Sequence, residues 1–342
     1  MERSAAEMEE EFYSKPFFLS YSGLSKMLYS PSVFYRHYVL QQREEKLESH
    51  LIDGKVIHCL LLDDGSFDEK FTMAPTKVPT GNTRLVIDRV FSLYKEQLKN
   101  EKHRDGELDV FEDFILKVLL DINLHQSLAD DKKGPFKTGD EKRIEKITTE
   151  ESKYYFEFLK DRRDRDILDE ETLARCNESV AAVRAHTDAC ILLGILRSEL
   201  DNIDVYNEIY LESESKYAFG LKGVVDNIKV DHDAKVIYVN DLKTSGKTVS
   251  EFKDSVEFFN YWAQAMIYMG LVDKMLGLDN YKMLFNFVVI DKYKQVYCFE
   301  VSQETLTSWG ERLEEKLKAV EWHYKNRNYS LPYEFLTSKV YL

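Results

Sequence analysis

Apolar positions change their spacing along the chain, and each change marks a different kind of element. Between about residues 17 and 79 short apolar clusters alternate with breaks. Residues 21–28 read as a helix stopped at Ser30-Pro31, and an aromatic-rich helix resumes through Phe34, Tyr35 and Tyr38. A helix is predicted over 50–62, ended by Asp63-Asp64-Gly65-Ser66, and 74–82, with Pro75, Pro79 and Gly81, is the clearest linker. From 83 to about 200 apolar residues recur at three and four, as in Phe111, Phe114, Ile115, Val118 and Leu119, which predicts helix throughout. After Asp201 the chain turns rich in Val, Ile and Tyr. Strands over 205–211, 217–230 and 235–243, punctuated by Ser213-Glu214-Ser215 and Asp231-His232-Asp233, read as a β-meander. A helix over 250–276, strands over 283–290 and 295–301, and a last helix over 303–327 complete the expectation. The parts are therefore 1–82, 83–204 as a helical insertion, and 205–342.

Composition narrows the class. With 342 residues and 44% apolar content the chain has material for a substantial core. Its net charge of −14 argues against a nonspecific nucleic-acid coat protein. A nuclease stays admissible, because a local basic groove can steer DNA and cation-holding carboxylates add negative charge. The opening residues are polar, with Glu9, Glu10 and Glu11, unlike a signal peptide, so a location inside the cell is expected. Apolar runs such as 59–62 fall well short of the roughly 20 residues that span a membrane. The cysteines, Cys59, Cys176, Cys190 and Cys298, form no C-x-x-C pair and read as ordinary buried thiols. Mixed-sign clusters such as 140–143 and 160–166 read as solvated faces or turns.

Candidate chemistry lies in the strands. Asp241 and Lys243, two residues apart, emerge on one face shared with Ile237 and Val239, where buried charge needs compensation. Asp226 lies among Val224 and Ile228 on the preceding strand, and a hairpin about 231–234 places it near Asp241. Carboxylates about 4 Å apart repel by roughly 1 to 4 kcal/mol, a penalty that a divalent cation removes. Oxygen ligands suit Mg²⁺ or Mn²⁺, and Lys243 would then stand beside a water poised for attack on a phosphodiester. A strand-end salt bridge between Asp241 and Lys243 is the alternative. On the following helix Tyr261, Gln264 and Tyr268 form a polar-aromatic face beside an apolar stripe of Phe252, Val256, Phe259, Ala263, Met266 and Ile267. Gln264 and Tyr268 could reach phosphate oxygens, or could be a solvated helix edge. Gly54 and His58 lie one turn apart, and a neutral imidazole can complete a metal shell.

Taken together, Gly54-x-x-x-His58, Gly223-Val-Val-Asp226, Asp241-Leu-Lys243 and Gln264-x-x-x-Tyr268 resemble the PD-(D/E)XK nuclease superfamily. Their order is similar to the RecB-type branch, and to phage and prophage RecE-like exonucleases, whose start residues 21–39 also resemble. Val225 stands where the superfamily name has proline. The resemblance implies an α/β restriction-endonuclease-like core, a mixed sheet flanked by helices. It implies that His58, Asp226, Asp241 and the Leu242 carbonyl bind one or two Mg²⁺ or Mn²⁺ ions, and that Lys243 serves the attacking water. Gln264 and Tyr268, with Tyr261 nearby, would contact DNA or the metal's waters. Glu208 resembles an additional family acid, although Glu212 shares its strand face. Candidate backbone contacts are Lys26, Arg36, Lys55, Lys222 and Lys247. Ungrouped cysteines argue against an iron–sulfur cluster, and the lack of a P-loop against a nucleotide.

The function so implied is exonucleolytic digestion of linear duplex DNA ends, in phage or prophage recombination or replication within the bacterial cytoplasm. A single-strand annealing or recombinase protein is a conceivable partner, and a homo-oligomeric ring a conceivable assembly. An endonuclease of the same chemistry and a non-catalytic DNA-end or recombinase-binding protein are the alternatives.

Overall fold

The computed structural model describes residues 4–42, 49–100, 111–125, 139–195 and 202–340. Val, Ile and Tyr alternation after residue 201 builds the main sheet, from β4 (Ile203–Ser213), β5 (Gly220–Asp231), β6 (Val236–Thr244), β7 (Lys282–Ile290) and β8 (Val296–Glu300). A short β1 (Phe18–Ser20) joins them. β4, β5 and β6 are successive antiparallel neighbours, β6 and β7 run parallel, and β7 and β8 are antiparallel. The parallel step needs a crossover, which the helices Phe252–Phe258 and Tyr261–Leu276 supply. The sheet is therefore mixed and flanked by helices, as expected.

Contacts divide the chain into two compact units, 1–67 with 172–342, and 68–171. The first is built on the sheet. Leu19, Val225, Ile228, Val239, Trp262, Ile267, Phe285 and Phe287 share one buried core. β5 is buried from Val225 through Val230, so both of its faces are covered and its polar residues lie inside. The helices Glu170–Ala185 and Thr187–Leu193 lead into this unit, and the second packs on β5 and β6.

The other unit gathers the helices Gly81–Asn100, Phe111–Asp121, Gly139–Ile147 and Glu150–Asp161 around Val86, Ile87, Ile115, Leu119 and Ile147. Here the structure departs from the expectation of helix throughout. β2 (Phe71–Met73) and β3 (Asp166–Leu168) form a two-stranded parallel sheet. Strands of three residues carry too little alternation to announce themselves. Nor is Arg143 a solvated charge. It is buried, donates to the Leu119 and Leu124 carbonyls at the end of the Phe111–Asp121 helix, and pairs with Asp140 at 3.3 Å.

The predicted 250–276 helix is broken. Asn260 adopts φ 59°, separating the two helices, and the Trp262 indole N–H donates to Asn260 Oδ1 at 3.2 Å. Apolar spacing continues through the break, so the pattern conceals it. Phe259, assigned above to the core stripe, is 45% exposed as a result.

Candidate active site

The site forms where β5 and β6 part. Their ladder runs from Asp231↔Val236 to Asn227↔Asn240 and stops there, one step short of Asp226 and Asp241. β4 continues along the other side of β5 to Ser213↔Leu221, and β1 takes the free side only from Gly220 to Lys222. Residues 223–226 therefore face a gap in the sheet. Backbone groups exposed there must find other partners. The Leu242 N–H donates to Asp226 Oδ2 at 2.8 Å, and the Leu242 carbonyl lies 2.8 Å from His58 Nε2.

Four elements converge on this gap. His58 arrives on the Ser49–Leu62 helix, whose Gly54 faces β6, since a Cβ there would lie 3.4 Å from Thr244 Oγ1. Its Nδ1 is 3.1 Å from Glu208 Oε1 and 3.8 Å from Asp226 Oδ2. Ligand atoms of His58, Glu208 and Asp226 all lie within 4.8 Å of one another. Glu208 falls between the pairs Asn207↔Asn227 and Ile209↔Val225, opposite Asp226, and its backbone has φ 47°. A non-glycine residue in that region in mid-strand stores local strain. Of the two acids weighed on this strand, Glu208 is the one that joins the cluster. Glu212 lies cross-strand from Lys222 and accepts from the Tyr210 hydroxyl.

Asp241 is fully buried, with Lys243 Nζ 2.5 Å from its Oδ2. Apart from that ammonium, neither Asp241 oxygen has a hydrogen-bond partner among the described residues. Burial pushes the Asp241 carboxyl up to about 6, against the lowering effect of Lys243 and with a further rise from Asp226. Burial would lower the Lys243 ammonium, but Asp241 and Asp226 outweigh it and hold the lysine firmly protonated. His58 behaves alike. Burial works against its charge, and Asp226 and Glu208 push it up to about 9. As an imidazolium it donates from both nitrogens, to Glu208 and to the Leu242 carbonyl.

Three acids thus crowd two side-chain cations, and Asp241 Oδ1 is left without a hydrogen-bond partner among the described residues. Once His58 gives up its proton, its nitrogen and oxygens from Glu208, Asp226, Asp241 and the Leu242 carbonyl make an oxygen-dominated donor set that fits a divalent cation.

Gln264 and Tyr268 are buried rather than solvated. Gln264 Nε2 donates to the Tyr268 hydroxyl at 2.9 Å, and Gln264 Oε1 has no partner among the described residues. Burial raises the Tyr268 phenol, and Asp226 and Asp241 raise it further, which places the ring within their field. Gly223 makes room for that ring: a Cβ there would fall 2.7 Å from Tyr268 Cε1. Tyr261 packs over the lysine, with Lys243 Nζ 4.8 Å from its ring centre.

Tyr21 belongs to the same neighbourhood and was not singled out by sequence. Its ring packs 6.4 Å from Tyr261, its hydroxyl donates to the Phe259 carbonyl at 2.6 Å, and burial pushes its phenol up to about 12. The only signal was its place at the head of the 21–39 segment. Of the candidate DNA-contacting cations, Lys26, Arg36, Lys55 and Lys247 are exposed and Lys222 is half-buried on β5.

Behind the acids runs a second row. Asn207, Asn227, Asn240 and Asn286 stand in register on β4 to β7; the first three are each one residue from Glu208, Asp226 and Asp241, and so on the opposite sheet face. Asn227 donates to Asn207 Oδ1 at 2.7 Å, Asn240 to Asn227 Oδ1 at 2.7 Å, and Asn286 to Asn240 Oδ1 at 2.9 Å. Asn227, Asn240 and Lys229 also donate to the Leu193, Leu192 and Ile191 carbonyls, at the end of the Thr187–Leu193 helix. Isolated asparagines gave the sequence no reason to link them.

The PD-(D/E)XK nuclease superfamily pattern matches residues 18–330, and the chain belongs to that superfamily. Among solved structures, a protein from Eubacterium rectale described as a candidate exonuclease is similar at 12% identity and TM-score 0.49, covering 100% of this chain and 96% of that one. The protein SSO0001 is similar at 12% identity and TM-score 0.23, over 77% of this chain and 98% of its own. No curated protein matches the chain. Among the described residues no helix is long and apolar enough to cross a membrane.

Proposed function

We propose that this chain is a divalent-cation-dependent deoxyribonuclease that hydrolyses phosphodiesters from the ends of linear duplex DNA, in phage or prophage recombination or replication. The observation that carries this reading is the buried Asp241–Lys243 pair beside the His58, Glu208 and Asp226 cluster. His58, Glu208, Asp226 and Asp241, together with the Leu242 carbonyl, would hold one or two Mg²⁺ or Mn²⁺ ions. Such a cation supplies Lewis acidity and lowers the pKa of water.

The chain's own residues then do the following. Lys243, held protonated, donates hydrogen bonds to the attacking water and opposes the charge that gathers on the phosphate. It orients that water rather than taking its proton. The water oxygen adds to phosphorus, its proton passes to solvent, and the 3′ oxygen leaves and is protonated. Gln264, whose buried Oε1 has no partner among the described residues, and Tyr268 orient the scissile phosphate and its solvent. Tyr261 packs the lysine against the sheet. Lys26, Arg36, Lys55, Lys222 and Lys247 are the candidate contacts to the DNA backbone. Support for end-dependence is the order of the four motifs, which is similar to RecE-like exonucleases.

The test is digestion of end-labelled linear duplex, nicked circle and closed circle with Mg²⁺ or Mn²⁺, comparing the unaltered protein with Lys243→Ala and Asp241→Ala. Loss of linear DNA alone, abolished in both variants, is the expected result. Cleaved circles would make the enzyme an endonuclease. Absence of metal-dependent hydrolysis on every substrate would leave a DNA-end binding protein.

A further inference from the structure

Between the two crossover helices the chain displays two phenylalanines. Phe258 is 76% exposed and Phe259 45% exposed, and their rings meet edge-on at 4.9 Å. The left-handed turn at Asn260 forces them outward, and the Trp262–Asn260 hydrogen bond fixes that turn. Backbone bonds hold the pair: the Phe259 N–H donates to the Ser255 carbonyl, and the Phe259 carbonyl accepts from Tyr21. The backbone of the corner is thus tied down at Phe259, and both rings stand on it.

They are also continuous with the site. Phe259 stacks on Tyr261 at 5.4 Å and 26°, and Tyr261 covers Lys243, whose ammonium meets Asp241. The steps of 5.4 and 4.8 Å keep the aromatic pair within a few nucleotides of the acids, at about 3.4 Å per nucleotide along a strand. The neighbouring Glu257 carboxylate is neutralised by Arg312 at 2.7 Å, and Arg312 lies on the Trp262 ring. An exposed aromatic face beside a phosphodiester site suits a nucleobase, because every base has a π-face and stacking is tolerant of sequence.

We infer that Phe258 and Phe259 form a stacking platform for an unpaired nucleobase at the DNA end, so that the strand entering the site is separated from its complement there. The inference rests on the reading of the site as a DNA nuclease. It goes further by assigning a base-binding surface that takes frayed or single-stranded ends in preference to paired ones.

The test uses short duplexes carrying 2-aminopurine at the terminal position of a three-nucleotide overhang, or in the paired interior, with Ca²⁺ in place of Mg²⁺. Binding of the unaltered protein should change terminal but not interior fluorescence. Phe258→Ala, at an exposed position that does not threaten folding, should weaken binding of the overhang substrate by about 5- to 150-fold, the range stacking of one base commands. It should also abolish the fluorescence change. Phe258→Trp should restore both. Unchanged affinity and fluorescence in Phe258→Ala and in the Phe258→Ala/Phe259→Ala variant, with normal DNA binding by the parent, would overturn the platform and leave the nuclease reading standing. Failure of the parent to bind any DNA would overturn both. Loss of self-association in Phe258→Ala, with DNA binding unaltered, would assign the rings to a protein contact and overturn the platform.

Discussion

Replacing Asn240 with leucine should be among the most damaging changes to the sheet that spares every acid. Asn240 is fully buried, donates to Asn227 Oδ1 and the Leu192 carbonyl, and accepts from Asn286. Leucine shares the branching at Cγ but is larger and apolar, so the loss combines the polar contacts with some overpacking at a fully buried position. Each hydrogen bond is worth about 1 kcal/mol net, and the stranded Asn286 amide adds about 1–3 kcal/mol. The leucine's apolar burial returns part of this, which leaves about 3–5 kcal/mol. Against a typical stability of about 5–15 kcal/mol that is a large fraction. Urea unfolding followed by tryptophan fluorescence measures it cleanly, because Trp262, Trp309 and Trp322 all lie in the sheet-bearing unit. A double-mutant cycle with Asn227→Leu should give a coupling above about 1 kcal/mol, since the two amides bond each other. A loss under about 1 kcal/mol for Asn240→Leu would refute the reasoning, because the row would then be no better than an apolar core.

Further outcomes follow from the same geometry. Gly223→Ala should lose about 1–3 kcal/mol by forcing the Tyr268 ring from its seat, whereas Gly54→Ala, with 3.4 Å to Thr244, should lose clearly less; thermal melts of both variants compare them. Glu208→Gln should fold normally, yet raise the Mn²⁺ concentration giving half-maximal thermal stabilisation by at least tenfold; an unchanged titration would remove Glu208 from the ligand set. His323 is held below the usual imidazole value by burial, only partly offset by its bond to the Asn328 carbonyl. A depressed group contributes stability that is fully present above its unfolded value of 6.5 and is lost as pH falls through the folded value. The urea midpoint should therefore drop between pH 7.5 and 5.5, and drop less in His323→Gln; equal drops would count against it.

Much of the site could be read from strand periodicity. Asp226 and Asp241 sat at mirrored places about the 231–234 turn, and Asp241 and Lys243 two residues apart, so the hairpin register carries them to the same end of the ladder, one step beyond its last pair. Glu208 was harder to separate from Glu212, because alternation puts both on one face, while the φ of 47° that distinguishes Glu208 is invisible in a pattern. The asparagine row needs the registers of three strand pairs at once, and each member alone looks like a polar strand position. Tyr21 and the Phe258–Phe259 corner depend on where a helix stops. Asn260 ends that helix without a proline or glycine, so the local signal for the stop is weak. β3 was lost to its brevity.

The gap between β5 and β6 bears on how an inactive form of this protein should be made. At that point two side chains complete the sheet's backbone bonding: Asp226 receives the Leu242 amide and His58 meets the Leu242 carbonyl. Deleting either to alanine removes a candidate ligand and a piece of scaffold together, so lost activity in those variants has two explanations. Asp226→Asn retains an acceptor for the amide, and Lys243→Met touches neither backbone group. Those two substitutions are the ones to carry into trapped complexes with DNA.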